Sequence, residues 1–266
     1  MICQPAAGVP VGGRFDCEGI ELLRGIYATA AAMAAEIVRQ DVVANNIANV
    51  STPGFRRDFA RFEAFPEMLL QAADRAGVTL GGVAPGSAVV EVSSDMRPGA
   101  ALETGSLTDV LIRGEGFFVV QVGERTAYTR EGSFMAGAGG VLCTGKGHPV
   151  LGEAGTVGLQ SGPFSIDGAG VVRSGDTTPG RLRIVTFDRP ELLQKDGDGY
   201  FVPRPGLVAS NVVAPELVPG SIELSNVNPV KEMVNLITVL RSYEAAAKAL
   251  AAQDETLSKA VNELAR

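Results

Sequence analysis

Apolar residues recur every three or four positions at the two ends of the chain and every second position in its middle. From about Glu21, Ile26, Ala30, Met33, Ile37, Ala44 and Ile47 fall along one helical face, with Gln40 standing where another apolar residue is expected. Several members of this heptad-like stripe are small, so a partner helix can approach closely. The stretch Ala28–Ala35 is rich in alanine and favours helix by propensity as well. The predicted helix ends near Asn49 and is on the order of 40 Å long at the usual helical rise. At the other end, Met233, Leu236, Leu240, Tyr243, Ala247, Leu250, Asp254, Leu257, Val261 and Leu264 hold a 3-4 alternation in which only Asp254 is polar. Such a seam predicts a coiled-coil helix of about 36 residues, on the order of 54 Å, with Asn228 as N-cap and Pro229 in the first turn.

Between these ends the period is two. Candidate strands are Ala88–Val92, Asp109–Arg113, Gly116–Val122, Thr126–Arg130, Gly140–Cys143, Gly170–Arg173 and Arg181–Phe187, with Tyr200–Val202 as a further one. Turn signals separate them, among them Arg97-Pro98-Gly99 and Asp167-Gly168, and the spacing predicts an antiparallel β domain. Phe55, Phe59, Phe62 and Phe65 recur every three or four residues and predict a short helix before Pro66. The expected fold is therefore α+β: long N- and C-terminal helices pairing as a coiled coil, with a central antiparallel all-β domain. Residues 1–20 read as a disordered extension, 21–52 as the first helix and 53–85 as a linker with a short helix. The β domain takes 86–218, and the hinge and last helix take 219–266.

Two polar hinges interrupt this pattern. Asp41–Phe55 carries Asn45, Asn46 and Asn49 and then Ser51-Thr52-Pro53-Gly54, which breaks the chain. Asparagine is mediocre inside helices because its amide competes for nearby backbone groups. On these residues alone, a fraying polar helix end and a surface that hydrogen-bonds a neighbouring chain are equal readings. The matching hinge Ser225-Asn226-Val227-Asn228-Pro229 at the far end favours the second. Asn45, Asn46 and Asn49 are then expected to meet neighbouring subunits, while Thr52-Pro53-Gly54 turns the chain toward the β domain.

Composition narrows the chemistry. The chain has 266 residues, 45% of them apolar, with 33 glycines and 15 prolines, which suits a large core cut by many turns. The net charge of −7 argues against nucleic acid as a partner. No apolar run is long enough for a membrane span. Cys3, Cys17 and Cys143 lack metal spacing, His148 is the single histidine, and residues 1–19 lack the basic start and apolar core of a cleaved signal peptide. Gly140–Lys146 matches a phosphate loop, but Gly147 stands where Ser or Thr must hold magnesium and Pro149 blocks the helix. Gly114-Glu115-Gly116 leads into a strand, and Asp196-Gly197-Asp198-Gly199 lacks the later ligands of a calcium loop. No cofactor, metal, catalytic group or small-molecule substrate is expected.

Three separated motifs resemble the bacterial flagellar rod and hook family of axial proteins. The first is Ala44-Asn45-Asn46-Ile47-Ala48-Asn49 with Thr52-Pro53-Gly54-Phe55. The second is Gly114–Val120 followed by Ala127-Tyr128-Thr129-Arg130-Glu131-Gly132-Ser133-Phe134. The third is Ser225–Val230 with Glu232-Met233-Val234 and Arg241-Ser242-Tyr243-Glu244-Ala245. Arg57-Asp58-Phe59 to Met68 and Gly147–Gly152 resemble the proximal rod type most, and Lys231–Ala245 resembles the distal rod type. The resemblance implies a structural subunit of the basal-body rod, exported without cleavage by the flagellar type III apparatus, whose terminal helices fold on assembly. The implied partners are other copies of itself and neighbouring rod proteins in a helical tube crossing the periplasm. The residues expected at subunit contacts are Asn45, Asn46, Asn49, Thr52, Gly54, Phe55, Asn226, Asn228, Met233, Leu236, Leu240, Tyr243, Leu250 and Leu257. Two other readings stand at this stage: a junction protein of the hook family, and a secreted β-domain binding protein or enzyme with a helical dimerisation stalk.

Overall fold

In the computed structural model, residues 17–64, 68–71, 79–83, 87–160, 162–196 and 199–264 are described. Of the extension expected at residues 1–20, residues 1–16 lie outside them, and residues 17–20 belong to helix α1, which begins at Cys17, earlier than the apolar stripe suggests. Helix α1 spans Cys17–Ala48 and α2 spans Pro229–Leu264, with strands between them that pair antiparallel through the β domain. The α+β class holds.

The chain divides into two compact units. One comprises Glu36–Phe62 and Val89–Arg241, and the other Met1–Ala35, Glu63–Ala88 and Ser242–Arg266. The first contains the β domain, the end of α1 and the start of α2. Its centre is a six-stranded sheet in the order Leu193–Lys195, Phe201–Pro203, Arg125–Thr129, Phe117–Val122, Ile184–Thr186, Ser210–Asn211. Phe118, Val120 and Ala127 pack on one face with Leu142, Val150 and Leu182. Phe117 and Val119 point to the other face and pack with Val185, Phe187, Leu193 and Phe201. Successive side chains alternate faces, so a strand covered on both sides reads as the continuous apolar run Phe-Phe-Val-Val.

Two ribbons return the chain to where it entered. Val110–Arg113 pairs with Glu216–Pro219, and Ala101–Glu103 pairs with Ser221–Glu223. The strand Ser221–Glu223 extends β structure past the expected boundary at 218. The short helix expected from the phenylalanine spacing is absent: Asp58–Ala64 is a strand, paired in a two-stranded sheet with Ser87–Ser94. Phe59 and Phe62 are half-buried there. A ladder partner supplied by a later segment overrides the local helical spacing.

In the second unit, Met68–Gln71 pairs with Thr79–Val83. Gly25 of α1 faces α2 closely there, since a Cβ at this position would lie 3.1 Å from the Gln253 amide nitrogen.

Along α2 the buried and half-buried positions include Glu232, Asn235, Leu236, Val239, Ser242, Tyr243, Ala246, Ala247, Leu250, Gln253 and Leu257. They share Leu236, Tyr243, Ala247, Leu250 and Leu257 with the predicted seam. The alternate seam positions Met233 and Leu240 are exposed, at 53% and 40%. As far as Leu257, the covered stripe thus follows the predicted seam except at Met233, Leu240 and Asp254, where the residue before each is the covered one.

Candidate assembly junction

Within the larger unit, α1 ends and α2 begins at one corner of the β domain. The turn after α1 passes through Gly54, whose φ of 69° is left-handed. A Cβ there would fall 2.4 Å from the backbone of Arg130, so only glycine fits. The Gly54 N–H donates to the Glu223 carbonyl at 2.7 Å, and Asn226 N–H donates to the Phe55 carbonyl at 3.3 Å. The outgoing and returning segments therefore run side by side.

Two hinge asparagines, Asn46 and Asn226, bond to distant segments of the same chain. Asn46 is fully buried. Its Nδ2 donates to the Asp58 carbonyl and its Oδ1 accepts from the Asp58 N–H, both at 2.8 Å. This pair of bonds imitates a neighbouring strand and fixes the start of Asp58–Ala64. Asn226 accepts from Arg57 N–H at 2.6 Å and donates to the carbonyls of Asp95 and Arg97, both at 2.9 Å. Asn49 donates to the Asn45 side chain at 2.7 Å and to its carbonyl at 2.9 Å, and Thr52 donates to Asn49 at 3.2 Å. These last three amide and hydroxyl groups close the end of α1. Asn228 caps α2 as expected, accepting from the Lys231 N–H at 3.1 Å.

Charged residues from distant parts of the chain lock the corner. The Glu223 carboxylate lies between the guanidinium groups of Arg56 and Arg130. Arg56 is 1% exposed, Glu223 3% and Arg130 8%. Glu223 also accepts from the Gly99 N–H at 2.9 Å. Arg56 donates to the Arg97 carbonyl at 2.9 Å, and Arg130 donates to the Gly114 carbonyl at 2.7 Å. Burial pushes the Arg130 guanidinium down to about 10, with Glu223 opposing the shift and Arg56 adding to it. A second pair joins Arg57 to the buried Glu232 in the first turn of α2. A third joins Lys195 to Asp58 at 2.8 Å, with Ser94 donating to the same carboxylate at 2.6 Å. Lys195 also stands 3.6 Å over the Phe55 ring. Burial pulls the Lys195 ammonium below its ordinary value, and Asp58 opposes that.

Removing one partner from a buried pair leaves an uncompensated charge, so such a knot resists partial opening. Sequence reading missed Arg56, Arg130, Lys195, Glu223 and Glu232 because their partners lie far away along the chain. One signal was available: Ser221 and Glu223 alternate with Ile222 in a strand, which places a carboxylate on the buried face. Of the expected contact residues, Gly54, Phe55, Asn46 and Asn226 belong to this corner. Asn45, Asn228, Met233 and Leu240 are exposed, and Asn49, Thr52, Leu236, Tyr243, Leu250 and Leu257 are half-buried.

Comparison with known families locates the same segments. Residues 26–56 match the model for flagella basal body rod protein, 111–174 the flagellar hook protein FlgE/F/G D1 domain, and 218–263 the C-terminal model for flagellar basal body rod FlgEFG proteins. The flagellar basal-body rod protein FlgF of Caulobacter vibrioides is 34% identical over 233 residues, covering 85% of the present chain and 91% of the relative. FlgG of Bacillus subtilis is 30% identical over 263 residues, covering 91% and 99%. FlgF of Salmonella typhimurium is 32% identical over 251 residues, covering 88% and 96%. Arg56, Arg130 and Glu223 come one from each of the three matched segments.

Proposed function

The chain belongs to the flagellar basal-body rod proteins, structural subunits that assemble with other rod proteins in the basal body, and on that premise we propose how it works there. It polymerises with copies of itself and with neighbouring rod proteins into a helical tube that crosses the periplasm. In that tube α1 and α2 pair as a coiled coil on the inside and the β domain lies outside. Its role is mechanical rather than catalytic: torque enters through the packed helices and leaves through β-domain contacts.

The observation that carries this reading is the buried Arg56–Glu223–Arg130 knot. A shaft subunit needs its helices and its outer domain to turn together. The knot ties the end of α1, the body of the β domain and the return to α2 at one point. Exposure of Met233 and Leu240 on α2 supports burial that is completed between subunits. Asn45, Asn49, Asn228, Met233 and Leu240 are assigned to those contacts, and Leu236, Tyr243, Leu250 and Leu257 to the pairing of α2 with α1. Asn46, Thr52, Gly54, Phe55 and Asn226 act on them indirectly by fixing the hinge. Export proceeds through the flagellar type III apparatus as an unfolded chain without cleavage.

An in-frame deletion tests the reading. The deletion strain is expected to be non-motile and to lack complete rods, and the wild-type chain expressed in trans restores both. Complete hook–basal bodies in the deletion strain would overturn it.

A further inference from the structure

Both helices of the larger unit carry one covered face and one outward face. On α2 the outward face holds Val230, Met233, Val234, Ile237 and Leu240, exposed by 69%, 53%, 57%, 52% and 40%. These lie three or four residues apart along the first turns, roughly opposite Glu232, Leu236 and Val239. On α1 the outward positions in the same unit are Ile37, Asp41, Ala44 and Ala48, again at 4-3-4 spacing and roughly opposite Ala35, Val42 and Asn46. One face is a ridge of large apolar side chains. The other is a shallower face of two alanines and Ile37 around one carboxylate.

Charges at their edges complement each other. Among the described residues, Asp41 forms no ion pair within the chain, and neither does Arg241, which follows Leu240 at the side of the ridge. The ridge cannot cover the alanine face of its own chain, because each lies on the side of its helix turned away from the residues buried in the unit. A second copy can. Copies related by translation along a shaft keep one direction, and α1 runs into the corner from which α2 runs out. The α2 ridge of one copy therefore meets the α1 face of the next antiparallel. Setting Asp41 against Arg241 then brings Val234 level with Ala48 and Ile237 between Ala44 and Ala48.

We propose that the α2 ridge packs on the α1 alanine face of a second copy, antiparallel, with Asp41 paired to Arg241 across the contact. The two surfaces differ, so the contact is heterologous and propagates instead of closing into a dimer. The proposal rests on the reading of the chain as a polymerising rod subunit, and it adds which surface of the subunit meets which.

The test uses the full chain in a strain lacking its own copy. Asp41→Arg and Arg241→Asp are each expected to lower recovery of the chain in purified basal bodies at least tenfold, and the double variant to restore at least half of it. Thermal melts of the purified variants are expected to match the wild type, since both side chains lie on outward faces. Independently, chains bearing Ala48→Cys alone and Val234→Cys alone, both with Cys3→Ser and Cys17→Ser, are expressed together. Oxidation of their basal bodies is expected to yield a dimer that neither chain gives by itself. A wild-type chain present in rods with no such dimer and no rescue by the double variant would overturn this contact while leaving the rod assignment intact. A crosslink to a different rod protein in place of the dimer would also overturn it. Absence of the wild-type chain from basal bodies would instead refute the rod reading.

Discussion

Replacing Glu223 by alanine removes the anion at the centre of the corner. It leaves Arg56 and Arg130, 1% and 8% exposed, facing each other without a counter-charge, and it leaves the Gly99 N–H without its acceptor. Loss of one member of a buried ion pair costs about 3–5 kcal/mol. In a unit of this size each kcal/mol lowers the melting temperature by roughly 2–4 °C, so a drop of about 10 °C is expected. A thermal melt of the purified chain by far-UV circular dichroism measures the drop, and urea unfolding measures the free-energy loss. The exposed pair Arg113–Glu216 is the control, and Arg113→Ala is expected to change stability by less than about 0.5 kcal/mol. A double-mutant cycle sharpens the test: Arg56→Met is expected to destabilise on its own, and Arg56→Met with Glu223→Leu to destabilise by much less than the sum. The reasoning fails if Glu223→Ala stays within about 1 kcal/mol of the wild type, the range of a surface pair.

Three further outcomes follow from the same geometry. Asn46→Ala leaves the Asp58 N–H and carbonyl unpaired in a buried site; a loss of about 2–4 kcal/mol is expected in the same urea assay. Gly54→Ala forces a Cβ into the Arg130 backbone at a left-handed φ, and limited proteolysis is expected to cut the Asn49–Arg57 stretch that is protected in the wild type. Burial raises the Glu131 carboxyl above its ordinary value of 4.5, with Lys146 opposing. The folded state therefore binds its proton more tightly than the unfolded state does. Any stability tied to that proton is fully present below pH 4.5 and is lost as pH rises through the raised folded value. Glu131→Gln removes the penalty, so its urea midpoint is expected to exceed the wild type's at pH 7 and to equal it below pH 4.5.

Much of this fold is legible along the chain, for reasons that can be named. Both long helices carry their period through many turns, and Asn228-Pro229 marks the start of α2 by capping chemistry alone. The central strands from Phe117 to Thr129 stand between clear turn signals. By contrast, Ala101–Glu103 and Ser210–Asn211 are exposed and only two or three residues long. Strands that short owe their existence to a distant partner and leave no periodic trace. The strand Asp58–Ala64 was masked by phenylalanines at helical spacing.

The corner itself is legible only in outline. The two asparagine-bearing hinges stand out, and the structure brings them together. Which amides act within the chain does not follow from spacing: Asn46 is enclosed and Asn45 beside it is exposed because consecutive helical residues point about 100° apart. Glu223 meets Arg56 across 167 residues, and no window of sequence contains both.

A subunit-resolved density map of purified hook–basal bodies, with this chain identified by its side chains, tests the central claim most directly. The account predicts the chain in the rod, with α1 and α2 paired around the axis, the β domain outside, and the Arg56–Glu223–Arg130 knot intact between them. A chain absent from the rod, or one found there with its helices splayed apart and the knot broken, would contradict it.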